Sequence, residues 1–151
     1  MKKDITINDY SAAVTGLLLA FTLPPGLPLW ITAVGAASAI VIAKHFFGGL
    51  GNNIFNPALI GRAILVASWP VAMTTWIRPL DGITTATPLG LIKEADKLKA
   101  LGDLVGAEKL FAELPTLANA FLGNISGSLG ETSAIALLLG GLYLLYKGHI
   151  D

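Results

Sequence analysis

Residues 10–43 carry no charged side chain, and the run is interrupted once, where Pro24, Pro25, Gly26, Leu27 and Pro28 crowd together. Proline lacks the amide donor that continues a helix, and its ring collides with the preceding turn, so one uninterrupted helix is excluded. The run must therefore fold as two elements. The first, residues 10–23, falls short of the roughly 20 residues a helix needs to span a bilayer. The second, residues 29–47, is long enough to cross, and its small residues Ala33, Gly35, Ala36, Ala37 and Ser38 let another helix approach closely. Lys44 and His45 near its end suit a membrane edge, where a cation extends toward the headgroups.

The rest of the chain keeps this character. Of 151 residues, 54% are hydrophobic and 13% charged, with a formal net charge of +0 and a mean hydropathy of +0.69. A soluble domain carries about a quarter of its residues charged, so membrane lipid is the expected surrounding. Without a basic cluster, nucleic acid is not an expected partner. Cysteine is absent, which removes disulfides and thiolate-held iron–sulfur clusters, and His45 and His149 lie too far apart in sequence to suggest a haem or zinc site. No metal is expected, and any redox centre would be organic. The early apolar run is too long and too proline-rich for a signal peptide and is read as mature sequence.

Residues 48–57 form an irregular stretch with Asn52, Asn53 and Asn56 between apolar segments. At membrane depth such backbone must be buried in protein or line a cavity; the alternative is an ordinary interfacial connection. Asn56 followed by Pro57 is a helix start. The next helix, residues 57–76, is long enough to span, with a kink expected at Trp69–Pro70 and with Trp76 and Arg78 marking an interface. Arg62 in this helix needs an ion-pair partner, a phosphate or a route to the membrane edge.

Residues 91–115 differ in character. Lys93, Glu94, Asp96, Lys97, Lys99, Asp103, Glu108, Lys109 and Glu113 alternate with apolar residues at helical spacing, which reads as a polar amphipathic insertion with a solvated face. A short helix over 116–122 and a third Gly/Ser/Asn-rich loop over 123–133 follow. A final apolar helix, 134–146, is capped by Ser133 or Thr132 and closed by Tyr143, Tyr146 and Lys147. The loops at 48–57 and 123–133 each precede a helix of similar length, the pattern that inverted-repeat membrane folds leave. The fold class expected is all-α: a polytopic membrane protein with broken or half helices, over one transmembrane region, 1–151.

One loop carries visible chemistry. Between two apolar halves lie Asp81, Gly82, Ile83, Thr84, Thr85, Ala86, Thr87, Pro88, Leu89 and Gly90. Asp81–Gly82 is a turn dipeptide and Pro88 forces Thr87 out of the helical region, so a plain surface turn is one reading. The order Asp81, Thr84, Ala86, Thr87 also resembles the pattern on which flavin transferases act, and by that resemblance Thr87 accepts FMN through its phosphate. Thr85 stands where glycine is usual, which leaves Thr84 as the alternative acceptor. Gly82, Ala86 and Pro88 keep the neighbourhood small and extended enough for an enzyme to reach one hydroxyl.

Together with residues 48–58 and 127–133, this loop makes the chain resemble the D subunit of the Rnf electron-transport complex and its relative, the B subunit of the sodium-translocating NADH:quinone reductase. Members of that family are longer, and the chain resembles the middle portion of one, an incomplete bundle on a urea-channel-like scaffold. The resemblance implies an electron-carrying component, not catalytic alone, in a translocase that moves electrons from reduced ferredoxin to NAD with coupled ion transport. It implies covalent FMN as a phosphoester on Thr87, on the outer side of a bacterial or archaeal cell membrane. Implied partners are the membrane, iron–sulfur and flavin subunits of the complex and the flavin transferase. Arg78, three residues before Asp81, and Arg62 are the candidates to balance the phosphate charge. The rival readings are a channel or transporter segment whose loops line a solute path, and a structural membrane component without cofactor.

Overall fold

The computed structural model describes residues 9–49, 51–78 and 82–150 and divides into two compact units, Met1–Thr74 and Thr75–Asp151. Apart from one antiparallel bridge between Ile77 and Thr84, the regular structure of the described residues is helical.

In the first unit, α1 (Ser11–Phe21) ends at the proline-rich turn, and α2 (Leu29–Ala37) begins directly after Pro28. The turn carries core as well as direction: Leu23 and Leu27 are buried with Leu19, Ile31, Ala39, Ala58, Leu65 and Met73. Full burial of a leucine such as Leu65 contributes about 2 kcal/mol. From Ser38 to His45 the helix continues with the wider π spacing, and Phe46 N–H donates to the Val41 carbonyl at 3.2 Å. α3 (Pro57–Ser68) starts as the sequence demands, with the Asn56 side chain accepting from Ala58 N–H at 3.0 Å and Pro57 in the first turn. Its Gly61 lies so close to the preceding helix that a Cβ there would stand 2.8 Å from the Gly35 carbonyl oxygen and 2.9 Å from Ala39 Cβ. Small residues set this separation.

Two length expectations are corrected. The helix expected over 57–76 stops at Ser68, because Pro70 starts a separate helix α4 (Pro70–Thr74) and pushes Trp69 to φ −133°, ψ 61°. The ring of Trp69 packs edge-on against Trp30, with centroids 5.4 Å apart, which fixes the break against α2. The continuous helical stretch after Pro28 ends at His45, and the 9 residues of α2 with the 8 of the π segment rise only about 25 Å. Among the described residues, no helix is long and apolar enough to cross a membrane. Lys44 also departs from expectation: it is 4% exposed and lies at the wall of a cavity instead of reaching outward.

In the second unit the polar insertion is two helices, α5 (Pro88–Ala100) and α6 (Leu104–Ala112), packed as a hairpin. The single amphipathic helix expected there is broken by Gly102, whose φ of 87° suits glycine, and by Asp103, whose carboxylate accepts from Gly106 N–H at 2.9 Å. Ala95 and Ala107 are the buried contacts of this pair. α7 (Leu117–Leu122) is capped by Thr116, and α8 (Ala134–Tyr146) by Ser133. None of the residues of α8 is buried, although all are apolar, glycine or tyrosine.

Candidate functional site

The hydroxyl-rich loop is organised by the helix it precedes. Thr87 has extended backbone, φ −66° and ψ 154°, and is the N-cap of α5. Its Oγ1 accepts from Gly90 N–H at 3.1 Å, and its carbonyl accepts from Leu91 N–H at 3.0 Å. Pro88, in the first turn, has no amide to satisfy, and the Gly90 amide is satisfied by the Thr87 side chain. A Cβ at Gly90 would stand 3.2 Å from Thr87 Oγ1 and crowd the hydroxyl.

Upstream, the chain forms a short antiparallel pairing. Arg78 N–H donates to the Ile83 carbonyl at 3.0 Å, Thr85 N–H to the Trp76 carbonyl at 3.1 Å, and Gly82 N–H to the Arg78 carbonyl at 3.0 Å. This pairing presents Arg78, Thr84, Thr85, Ala86 and Pro88 to a cavity of about 580 Å³. Its opposite wall comes from residues far along the chain: Glu113 to Thr116, Asn119, and Asn124 to Ser126. Ser126 Oγ donates to the Ala86 carbonyl at 2.7 Å, which ties the two walls together. Asn124 Oδ1 is buried in this region without a hydrogen-bond partner.

Sequence reasoning thus found one wall and missed the other. Thr84 is exposed and Thr85 half-buried at the cavity; Thr87 is half-buried, does not line it, and turns its hydroxyl to the helix start. Gly82 and Ala86 are exposed, as a reachable segment requires. Asp81 lies outside the described residues. Arg62 sits half-buried on α3 in the other compact unit and is not among the residues lining this cavity. The first unit has its own cavity, lined by Asp9, Thr15, Lys44, Asn53 and Phe55 among others, where Asn53 Oδ1 is buried and unpartnered. Asp9 at its edge has its carboxyl held below the usual range, chiefly by the Ser11 hydroxyl and amide that donate to it; burial opposes them, and the charges of Lys44 and His45 add smaller lowering contributions. No group of three or more metal-ligating side chains occurs among the described residues.

A known family pattern matches residues 1–151 of the chain from end to end. The chain belongs to the NQR2, RnfD, RnfE family. It is 53% identical over 153 residues to the D subunit of a proton-translocating ferredoxin:NAD(+) oxidoreductase complex from Clostridium ljungdahlii, covering 99% of this chain and 44% of that protein. It is 49% identical to the D subunit of a Na(+)-translocating ferredoxin:NAD(+) oxidoreductase complex from Acetobacterium woodii, covering 100% of this chain and 44% of that protein. Against the D subunit of an ion-translocating oxidoreductase complex from Rhodobacter capsulatus the identity is 46%, over 91% of this chain and 43% of the relative. The chain therefore spans less than half the length of these relatives from the NQR2, RnfD, RnfE family.

Proposed function

We propose that this chain is the cofactor-bearing part of the D subunit in an ion-translocating ferredoxin:NAD oxidoreductase of the Rnf type, and that it carries FMN as a phosphoester on Thr87. The observation that carries the reading is the position of Thr87, the N-cap of a 13-residue helix, between Ala86 and Pro88, which line a cavity of about 580 Å³. Pockets that take a cofactor-sized ligand are commonly 300–1,000 Å³, on the order of this one.

The residues fit the group. An ester oxygen keeps the lone pairs with which Thr87 Oγ1 accepts from Gly90 N–H, so the cap survives esterification. The positive end of the helix favours the phosphate's charge. Arg78 at the cavity adds a cationic side chain. Asn119 and Asn124 add polar side chains to the cavity lining. Thr84 and Thr85 offer further hydroxyls along the cavity edge, and Thr84 is the alternative point of attachment. Attachment through the phosphate leaves every ring atom free, so bound FMN supplies one- and two-electron transfer while the chain supplies position and electrostatics.

The exterior suits a membrane. Leu17, Leu18, Trp30, Val34, Leu137, Leu138 and Leu142 are all exposed, on helices shorter than a span, as expected of a segment packed among lipid and other helices of a larger bundle. In such a complex the other subunits bring the iron–sulfur centres that this cysteine-free chain lacks. The test is mass spectrometry of the peptide spanning Thr84, Thr85 and Thr87 from native membranes, with in-gel fluorescence after denaturation. The expected result is a peptide heavier by one FMN less water and a fluorescent band; an unmodified peptide overturns the reading.

A further inference from the structure

Lys44 belongs to the π-spaced segment Ser38–His45, and its carbonyl accepts from Gly49 N–H at 3.0 Å, which fixes its backbone. Its side chain is 4% exposed and lines the cavity of the first unit, about 580 Å³, together with Asp9, Thr15, Asn53, Asn56 and Pro57. Among the described residues, no hydrogen bond or ion pair reaches its ammonium. The described side-chain atoms that are both fully enclosed and unpartnered are Asn53 Oδ1, Asn124 Oδ1 and Ser128 Oγ, so the Lys44 ammonium keeps a surface open to the cavity. A charge withdrawn this far from water is costly without a counter-group. Asp9 does not supply one by contact, because its carboxylate is engaged by the Ser11 hydroxyl at 2.6 Å and the Ser11 amide at 2.8 Å. Asn56 and Pro57 bring a second feature to the same cavity, the N-terminus of the 12-residue helix α3, whose dipole favours negative charge.

We propose that the cavity around Lys44 is an anion site that takes a phosphate group, with the Lys44 ammonium donating to a phosphate oxygen and the N-terminus of α3 favouring its charge. A lysine ammonium acts on phosphate as a compact point charge, and a helix N-terminus is the backbone's own anion site. Two sources present this chemistry, the headgroup of an anionic phospholipid and free phosphate. The surroundings favour the lipid. Val14, Leu18, Ile54 and Phe55 line the same cavity and are exposed, so acyl chains meet apolar surface beside the headgroup. Asp9 at the rim repels the incoming charge and weakens the hold. The site lies in the compact unit that does not contain the threonine loop, and it is independent of the flavin reading.

The experiment reads hydrogen exchange over residues 44–58 in the intact, delipidated complex in detergent. Exchange is compared without ligand and with short-chain phosphatidylglycerol, short-chain diacylglycerol or inorganic phosphate, all at constant ionic strength. In wild type, phosphatidylglycerol should slow exchange in this segment severalfold, and diacylglycerol, which lacks the phosphate, should not. Slowing by inorganic phosphate without slowing by the phospholipid supports the anion site and names free phosphate as its ligand. Lys44→Gln should need about tenfold more ligand for the same effect, as expected for the loss of one charge-assisted hydrogen bond. Lys44→Arg should keep most of the response, and Asp9→Asn should need less ligand than wild type. No slowing by either phosphate-bearing ligand in wild type, equal slowing by diacylglycerol, or an undiminished response in Lys44→Gln overturns the proposal. The wild-type comparisons decide it even where Lys44→Gln does not assemble.

Discussion

The hydroxyl of Ser126 donates to the carbonyl of Ala86 at 2.7 Å, joining residues forty positions apart. Ala86 immediately precedes the helix cap Thr87, and Ser126 is 6% exposed, so the bond closes the loop between α7 and α8 onto the segment that leads into α5. The cavity between those segments depends on this closure.

Removing that donor loosens the threonine loop. Ser126→Ala should cost about 1 kcal/mol, since the Ala86 carbonyl loses its partner in a partly buried place. Hydrogen exchange of the peptide covering residues 82–90 should then speed up roughly fivefold, while exchange in α1 to α3 stays as in wild type. Equal exchange in the two proteins would show that the bond does not hold the loop.

Attachment should follow the cap. Thr87→Ala is expected to abolish covalent flavin and to weaken the start of α5 by about 1 kcal/mol, whereas Thr87→Ser keeps both the hydroxyl and the cap. Thr84→Ala and Thr85→Ala should retain the flavin. Loss of the fluorescent band in Thr84→Ala, with retention in Thr87→Ala, would move the ester to Thr84.

Gly90→Ala separates helix stability from access to the hydroxyl. Alanine is the better helix former by up to about 1 kcal/mol, but its Cβ would stand 3.2 Å from Thr87 Oγ1. The variant should fold at least as well as wild type and show a severalfold lower ratio of modified to bare peptide. A normal ratio would mean that the hydroxyl tolerates this crowding.

Packing in the first unit is most sensitive at Gly61. In Gly61→Ala the new methyl meets the Gly35 carbonyl oxygen at 2.8 Å and Ala39 Cβ at 2.9 Å, and backbone cannot move aside as a flexible side chain does. Thermal unfolding in detergent should reveal a loss of about 1–3 kcal/mol. Gly16→Ala, with open space around the site, serves as the neutral comparison.

Acid should remove the contribution of Asp9. Its carboxyl is held below the usual range, so it ionises more readily in the folded chain than in the unfolded one. The resulting stability is present above the ordinary carboxylate range and disappears as pH falls through the lower, folded value. Asp9→Asn should be slightly less stable than wild type at neutral pH, and the gap should close on acidification. A gap that stays constant with pH would contradict the role given to Ser11 and Lys44.

Much of the local structure was legible because its causes are local. Pro28, Asn56–Pro57, Thr116 and Ser133 mark helix starts through missing donors and side-chain acceptors, and the bounds of α8 follow from an apolar run between a cap and Tyr146–Lys147. The break inside residues 91–115 was signalled by Gly102–Asp103, but a regular alternation of charged and apolar residues obscured it. The early end of α3 was written in Trp69–Pro70, yet whether proline merely kinks a helix or ends it depends on what packs beside it, here Trp30.

By itself the sequence determined the all-helical class, the starts of α3 and α8 and the family, because capping, proline sterics and hydropathy act within a few residues. Only the tertiary structure decided that Ser126 meets the threonine loop and Asn124 lines the same cavity, that Thr84 and Thr85 line it while Thr87 turns to its helix, and that Lys44 is buried. Those relations join residues far apart along the chain, and their energies arise only once both partners are brought together and shielded from water.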